Sequence, residues 1–316
     1  MRAVVIEEFG GPEMLQLADV PDPHAGPGEV RIAVAAAGAN PVDASNRSDG
    51  SWAGVDLPHI PGYDVAGVVD QIGDRVDGVS IGDRVMAMMP FPRGAGGYAE
   101  FAVLDAHLIA AVPSGASMVE SAAVPLAAGT AYDVLERIGL PPGSSVLVHG
   151  ASGGVGTFLV QLAAAKDLRV IAAASERSHD LLRELGAAAC VDYHDDDLVS
   201  AAVAFAGGPV DAIVDLVGGP ALGRSLEAVR SHGQLVSIAT PDLDLDPVLD
   251  ENLTFHGVLI SESRERMSAL ARLMEDGKIR SVVADVFPLE RVVDAHRQLE
   301  TGHSGGKIVL EIRSGS

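Results

Sequence analysis

Seven residues from Gly150 to Gly156, reading Gly-Ala-Ser-Gly-Gly-Val-Gly, have the types and spacing to hold a pyrophosphate. Gly153 and Gly156 occupy the second and third places of a G-x-G-x-x-G fingerprint, with Ala151 in the first. At Gly153 the missing side chain lets the backbone approach phosphate, and at Gly156 it lets helix and strand pack closely. Gly150, Ser152, Gly154 and Val155 complete the turn, whose free N–H groups and positive helix end would meet the phosphate charge. A merely flexible loop is the competing reading, but each glycine in a first helical turn costs about 1 kcal/mol against alanine and needs another reason there. An NAD site places a carboxylate about 20 residues past such glycines. Here Ala173, Ala174 and Ser175 stand instead. Ser175 can donate a hydrogen bond and Arg177 adds a fixed cation, so NADPH is expected over NADH. Glu176 between them is a dissenting charge, and Arg177 also suits the solvated first turn of the next helix.

These residues need a strand before the turn and a helix after it. Val146–Val148 form a short apolar run after the turn signal Pro141, Pro142, Gly143. Val155, Leu159, Leu162 and Ala163 then recur on one helical face, and the apolar run Val170–Ala174 closes a βαβ unit. Further apolar strands are expected at Ala212–Val217, Gln234–Ala239 and His256–Ile260, alternating with Ala-rich helical segments. That alternation predicts an α/β fold with a doubly wound parallel sheet of the Rossmann type.

The first hundred residues have a different texture. Short strands at Arg2–Ile6, Val30–Ala36, Val65–Ile72, Arg84–Met88 and Glu100–Leu104 are separated by Gly, Pro and Asp clusters, as in a compact, mostly antiparallel β domain in which no helix of length is evident. After a helix at Arg264–Glu275 come a strand near Val282–Val286, a helix at Leu289–Leu299 and a last strand, Lys307–Ile312. The expected organisation is residues 1–117 completed by 264–316 as one domain, and 118–263 as the nucleotide domain, with the active site in a cleft between them.

Composition narrows the partners. Lys and Arg number 22 against 44 Asp and Glu, so the field repels nucleic acid and anionic lipid. The one cysteine, Cys190, lies in a short apolar segment, which excludes an internal disulfide and a cysteine zinc cluster and predicts a buried, inert thiol. MRAVVIEEFG lacks a secretory apolar region and no stretch approaches a membrane span, so a cytoplasmic location is expected.

HIPGYDVAGVV (His59–Val69), GGYAEF (Gly96–Phe101), PLAAGTAYDVL (Pro125–Leu135), HGASGGVG and the closing GGKIVLEI together resemble the medium-chain dehydrogenase/reductases, nearly end to end. GANPVD (Gly38–Asp43) and PGYDVAG resemble the zinc-independent quinone oxidoreductase and enone reductase branches, which implies a GroES-like β domain beside the Rossmann domain, NADPH as cofactor and a homodimer. Where the zinc alcohol dehydrogenases carry a cysteine ligand this chain has Asn40, and where they carry His and Glu it has Tyr63 and Asp64, so no metal is expected. Without a Lewis acid, simple alcohol oxidation is disfavoured, whereas a conjugated carbonyl needs only positioned donors for the charge on its oxygen. The resemblance makes Asn40 and Tyr63 those donors, though Asn40 before Pro41 also suits a turn and Tyr63 after Pro61-Gly62 also suits packing. Ser45 stands where the quinone branch carries a tyrosine, which favours an enone; Trp52 either walls a flat acceptor or caps the β core. The resemblance adds Thr130, Val217, Gly218, Ile238, Ala239 and Thr240 to the cofactor site, with Asp215 ordering the loop after its strand. Lys307 either reaches the cleft or is a solvated lysine. A small-molecule quinone or enone is thus the expected substrate, against a catalytically idle NADPH-binding sensor of the same fold and, third, a zinc alcohol dehydrogenase.

Overall fold

Glu29–Ala39 alternates polar and apolar residues at first and turns continuously small and apolar, as a strand does when it passes from a half-exposed to a fully buried position. It is the longest strand of the computed structural model, which describes residues 1–50, 53–92, 94–195 and 197–313. A hairpin of β1 (Arg2–Val5) and β2 (Gln16–Asp19) precedes this strand, β3. Then come α1 (Pro41–Ser48), β4 (Asp64–Ile72), β5 (Arg84–Met88), β6 (Phe101–Asp105), β7 (Ile109–Ala111), α2 (Met118–Ala122) and α3 (Pro125–Ile138). Alternation begins at β8 (Ser145–His149), with α4 (Gly154–Ala165), β9 (Arg169–Ala173), α5 (His179–Glu184), β10 (Ala189–Val191), α6 (Leu198–Ala206), β11 (Val210–Asp215), β12 (Val229–Ser237), α7 (Asp246–Asp250) and β13 (Thr254–Gly257). The chain closes with α8 (Arg264–Glu275), β14 (Val283–Pro288), α9 (Val292–Glu300) and β15 (Lys307–Glu311).

The chain divides into two compact units, Met1–Gly129 with Ile260–Ser316, and Thr130–Leu259. In the first, a sheet runs β14-β15-β3-β4-β5-β7, with β6 also on β3; only the β14–β15 pair is parallel. β15 returns to pair antiparallel with β3, placing Ile308 opposite Ala39. Val4, Ile32, Val65, Tyr98, Leu104 and Leu310 belong to its core. In the second unit six parallel strands run β10-β9-β8-β11-β12-β13, with Leu147, Ile171, Ile213 and Leu235 in the core. The doubly wound sheet expected from the alternation is therefore present.

Among the elements that depart from the sequence reading are β2 and β7, which it did not include, β13, expected at His256–Ile260, and α1 and β10. α1 falls where no helix was expected, because its polar composition hides a sound start: Pro41 at its first position and Asp43 three residues beyond Asn40, accepting the Asn40 N–H at 2.9 Å. β10, which holds the buried Cys190, is three residues long, too short to show a period. Burial raises the Cys190 thiol pKa, as an inert thiol requires. Among the described residues no helix is long and apolar enough to cross a membrane.

Candidate functional site

In the second unit the strand order reverses at β8, with β9 on one side and β11 on the other, and ligands of open α/β sheets bind outside the strand ends at such a reversal. The glycine turn sits there. Gly150 has φ of +73°, a left-handed conformation that a side chain disfavours. At Gly156 an added Cβ would lie 2.2 Å from the Gly150 carbonyl oxygen, so the helix start is pressed against the turn. Ala151 and Gly156 are buried, whereas Ser152, Gly153, Gly154 and Val155 remain half-buried. Gly153 is the N-cap of α4 and offers no capping side chain, which leaves the first amides of the helix for a ligand.

The neighbouring strand ends complete this crevice. An added Cβ on Gly150 would meet Val217 Cγ2 at 2.9 Å, and one on Gly218 would meet Ala239 Cβ at 2.9 Å. Gly219 N–H donates to the Thr240 carbonyl and Ile238 N–H to that of Asp215. The structure thus brings Gly150–Gly156, Val217, Gly218, Ile238, Ala239 and Thr240 together. Asp215 fixes them: Oδ1 accepts the Val217 and Gly218 N–H groups at 2.9 and 3.0 Å, and Oδ2 accepts the Ser237 hydroxyl at 3.0 Å. Thr130 is buried within α3. His149 contacts Ser225 Oγ at 2.8 Å and burial lowers its pKa, so it is a packed strand-end histidine.

Ser175 follows β9 and opens a single turn, Glu176–Ser178. The Glu176 N–H donates to Asp192 Oδ2 at 3.1 Å, which ties this turn to the end of β10. Arg177 is exposed, and its side chain has no partner among the described residues. Tyr193, next to Asp192, is exposed beside the same turn. Sequence reasoning passed over it; an aromatic two positions beyond the apolar run Ala187–Val191 was the available signal.

The first unit holds a buried polar cluster. Lys307 is neither solvated nor free: its ammonium donates to Asp64 Oδ2 and the Ala39 carbonyl, both at 3.1 Å, and to Asn40 Oδ1, with 4% of its side chain exposed. Asn40 Nδ2 donates to Asp64 Oδ2 at 2.9 Å, and Asp64 Oδ1 accepts the Leu126 N–H at 2.7 Å. Lysine cannot accept and an ionised carboxylate cannot donate, so this pair fixes which way the Asn40 amide faces. Tyr63 is fully buried; its hydroxyl donates to the Pro92 carbonyl at 2.5 Å and accepts from Asn46 Nδ2 at 2.7 Å. Its one proton is committed, and burial raises its pKa, so in this arrangement Tyr63 packs against Phe91 rather than presenting a donor. Trp52 lies outside the described residues.

Asp43 was read only as part of a motif. Its carboxylate accepts the Gly62 N–H at 3.0 Å, the Asn40 N–H and the Tyr98 hydroxyl at 3.1 Å, and complete burial pushes its pKa up to about 7. The raised folded value means that the native state keeps a proton that the unfolded chain has released between about pH 4 and 7. Stability from this group is therefore full below pH 4, falls as pH rises through 7, and is flat above. The span is on the order of 4 kcal/mol. Asp43→Asn is expected to remove that falling segment from urea-unfolding free energies measured between pH 4 and 8; an unchanged slope would assign it to other groups.

A doubly wound sheet with a bare glycine turn at its reversal, joined in one chain to an antiparallel β unit, defines the class of nicotinamide-nucleotide dehydrogenases and reductases. Residues 26–114 match the family described as alcohol dehydrogenase GroES-like domain, and residues 185–310 the one described as zinc-binding dehydrogenase. The chain is 33% identical to quinone oxidoreductase of Lama guanicoe, over 99% of this chain and 98% of that protein. It is 32% identical to the NADPH-dependent alkenal/one oxidoreductase, chloroplastic, of Arabidopsis thaliana, over 98% of this chain and 79% of that one. A solved NAD-dependent alcohol dehydrogenase superposes with a TM-score of 0.93 at 32% identity, over 99% and 100% of the two chains. The chain belongs to the medium-chain dehydrogenase/reductase superfamily, in its quinone and enone reductase branch.

Membership implies a nicotinamide cofactor, and the turn fits one, since a side chain at Gly153 would fill the space over the free amides. Zinc, named in one of the matched descriptions, does not fit. Asp64 is already compensated by the Lys307 ammonium, which would repel a second cation, and Asn40 and Tyr63 supply neither thiolate nor imidazole. Among the described residues no three His, Cys, Asp or Glu side chains gather to hold a metal.

Proposed function

We propose that this protein is a zinc-independent, NADPH-dependent reductase of conjugated carbonyls, either quinones or enones. The observation that carries the reading is the Lys307–Asp64–Asn40 cluster, which puts an ammonium where metal-dependent relatives would need ligands. Bound NADPH supplies a hydride. Acceptors polarised by their own conjugation can take it with little help, which suits a chain whose Asn40 amide and Tyr63 hydroxyl already have partners. The Gly150–Gly156 turn, Val217, Gly218 and Ile238–Thr240 support the dinucleotide, and Ser175 with Arg177 supports the 2′-phosphate. The names of two relatives, quinone oxidoreductase and NADPH-dependent alkenal/one oxidoreductase, agree with this substrate class.

The test is NADPH oxidation with a naphthoquinone, an enal, an alkenone and a simple aldehyde, with and without a chelator. Turnover of conjugated acceptors alone, unaffected by chelator, is expected; aldehyde turnover lost to chelation would overturn the reading. A second reading, an idle NADPH-binding sensor, is favoured by the committed Asn40 amide and Tyr63 hydroxyl. Tight NADPH binding without turnover of any acceptor would select it.

Arg177→Ala tests the phosphate assignment. Loss of one charge-assisted contact, about 1.5–3 kcal/mol, should weaken NADPH roughly 10- to 100-fold and leave NADH nearly unchanged. Equal losses in fluorescence titrations with the two nucleotides would remove Arg177 from the site.

The homodimer is proposed from the free edge of the six-stranded sheet. β13 ends the strand order, and Leu245, Leu249, Phe255 and Leu259 near it are exposed. Its sequence, Thr-Phe-His-Gly, carries no lysine or proline to block pairing, so a second copy would fit it by two-fold pairing. Light scattering should give twice the chain mass, and Phe255→Lys should reduce it; a wild-type monomer at micromolar concentration would end this proposal.

A further inference from the structure

Asp43 begins a short chain of hydrogen bonds that ends on a histidine with one ring nitrogen unpartnered. Asp43 Oδ2 accepts the Tyr98 hydroxyl at 3.1 Å, and the same oxygen of Tyr98 lies 3.3 Å from His296 Nε2. Asp43 and Tyr98 are wholly buried, as is His296, whose Nδ1 has no partner. The three residues come from α1, the segment before β6, and α9, which are far apart in sequence.

Counting protons along this chain allows two arrangements. With Asp43 ionised, the Tyr98 O–H donates to the carboxylate, and the Tyr98 oxygen accepts a proton from His296, which must carry it on Nε2. With Asp43 protonated, its O–H donates to the Tyr98 oxygen. The Tyr98 O–H must then turn to His296 Nε2, which has to be bare, with the ring proton on Nδ1. We infer that Asp43, Tyr98 and His296 form a proton-sharing clamp between α1 and α9, in which proton uptake at Asp43 switches the neutral His296 ring from its Nε2–H to its Nδ1–H tautomer.

The balance is one proton gained, at Asp43, with the ring proton moved between nitrogens and no change of charge on His296. Surrounding charges agree with this assignment. Asp64 faces Asp43 and opposes its ionisation, while Lys307 favours it. Burial, with a smaller contribution from the facing Arg47, lowers the His296 pKa to about 3, so the ring stays neutral over the working range. Arg47 pairs with Glu300, one helical turn beyond His296 on α9, and its Nε and Nη1 are buried without partners. A cation there favours the bare Nδ1, and hence the tautomer that accompanies ionised Asp43. Because Asp43 also holds the Asn40 N–H, the clamp reaches the residue that opens α1 and meets Lys307. It is a pH-sensitive positioning device, and it does not depend on the acceptor that the enzyme reduces.

Nitrogen-15 NMR of the full chain labelled at histidine reads it directly, with His296→Gln used to assign the ring. In the wild type the Nδ1 and Nε2 shifts of His296 should exchange character between pH 5.5 and 8.5 with one midpoint, without passing through the imidazolium pattern. Asp43→Asn, which has no proton to gain or lose, should hold His296 in a single tautomer throughout. Tyr98→Phe removes only the relay hydroxyl and should abolish the exchange. A tautomer that never changes in the wild type, or an exchange that survives either variant, overturns the inference. If Asp43→Asn does not fold, Tyr98→Phe decides alone.

Discussion

Gly153→Val is expected to leave a folded protein with at least a ~10-fold weaker hold on NADPH, and upward of ~100-fold where two bonds go, because one or two charge-assisted bonds of about 1.5–3 kcal/mol each are lost. An added Cβ at this position meets only the Gly150 carbonyl oxygen, at 3.3 Å, so the chain itself accommodates it with a small adjustment. The branched methyls would instead stand over the first amides of α4, where no capping side chain competes with a ligand. Titration of NADPH fluorescence gives the affinity, and thermal unfolding without nucleotide gives the control. A wild-type dissociation constant in the folded variant would place the pyrophosphate elsewhere. Gly153→Ala should fall between the two, since its single methyl fills less of the same space.

Lys307→Met carries the largest expected stability effect, about 3–5 kcal/mol, the usual cost of leaving one member of a buried ion pair without its partner. Asp64 has none of its surface exposed and would keep only the Leu126 N–H and the Asn40 amide as partners. Asn40 would lose the donor on Oδ1 that fixes its orientation. Urea unfolding measures the loss. The double variant Lys307→Met with Asp64→Asn should recover much of it, because the uncompensated charge is then gone. A single variant within about 1 kcal/mol of wild type, the range of an exposed ion pair, would show that the cluster contributes nothing to holding β15 on β3.

The parts of the fold that the sequence showed are those with a long period or a local signal. Val146–Val148, the glycine turn and the helical face from Val155 to Ala163 lie in one continuous stretch, and β8, its turn and α4 follow them closely. The strand at Gln234–Ala239 was legible but misplaced at its end: β12 stops at Ser237, which puts Ile238–Thr240 in the loop beside Val217 and Gly218. α1 was missed because eight mostly polar residues show no apolar face, although Asn40, Pro41 and Asp43 together carry a start signal.

Residue types and local order alone determined the doubly wound sheet, the glycine turn at its reversal and the absence of an acid after β9, since each depends on neighbours a few positions apart. Only the tertiary structure decided what Lys307, Tyr63 and Asp43 do. Lys307 meets Asp64 across 243 positions of sequence, and His296 meets Tyr98 across 198. Nothing local distinguishes a lysine that will be solvated from one that will be buried against a carboxylate. Whether a side chain's donors are free or committed is set by which distant strand comes to lie beside it, and here that was β15 folding back onto β3.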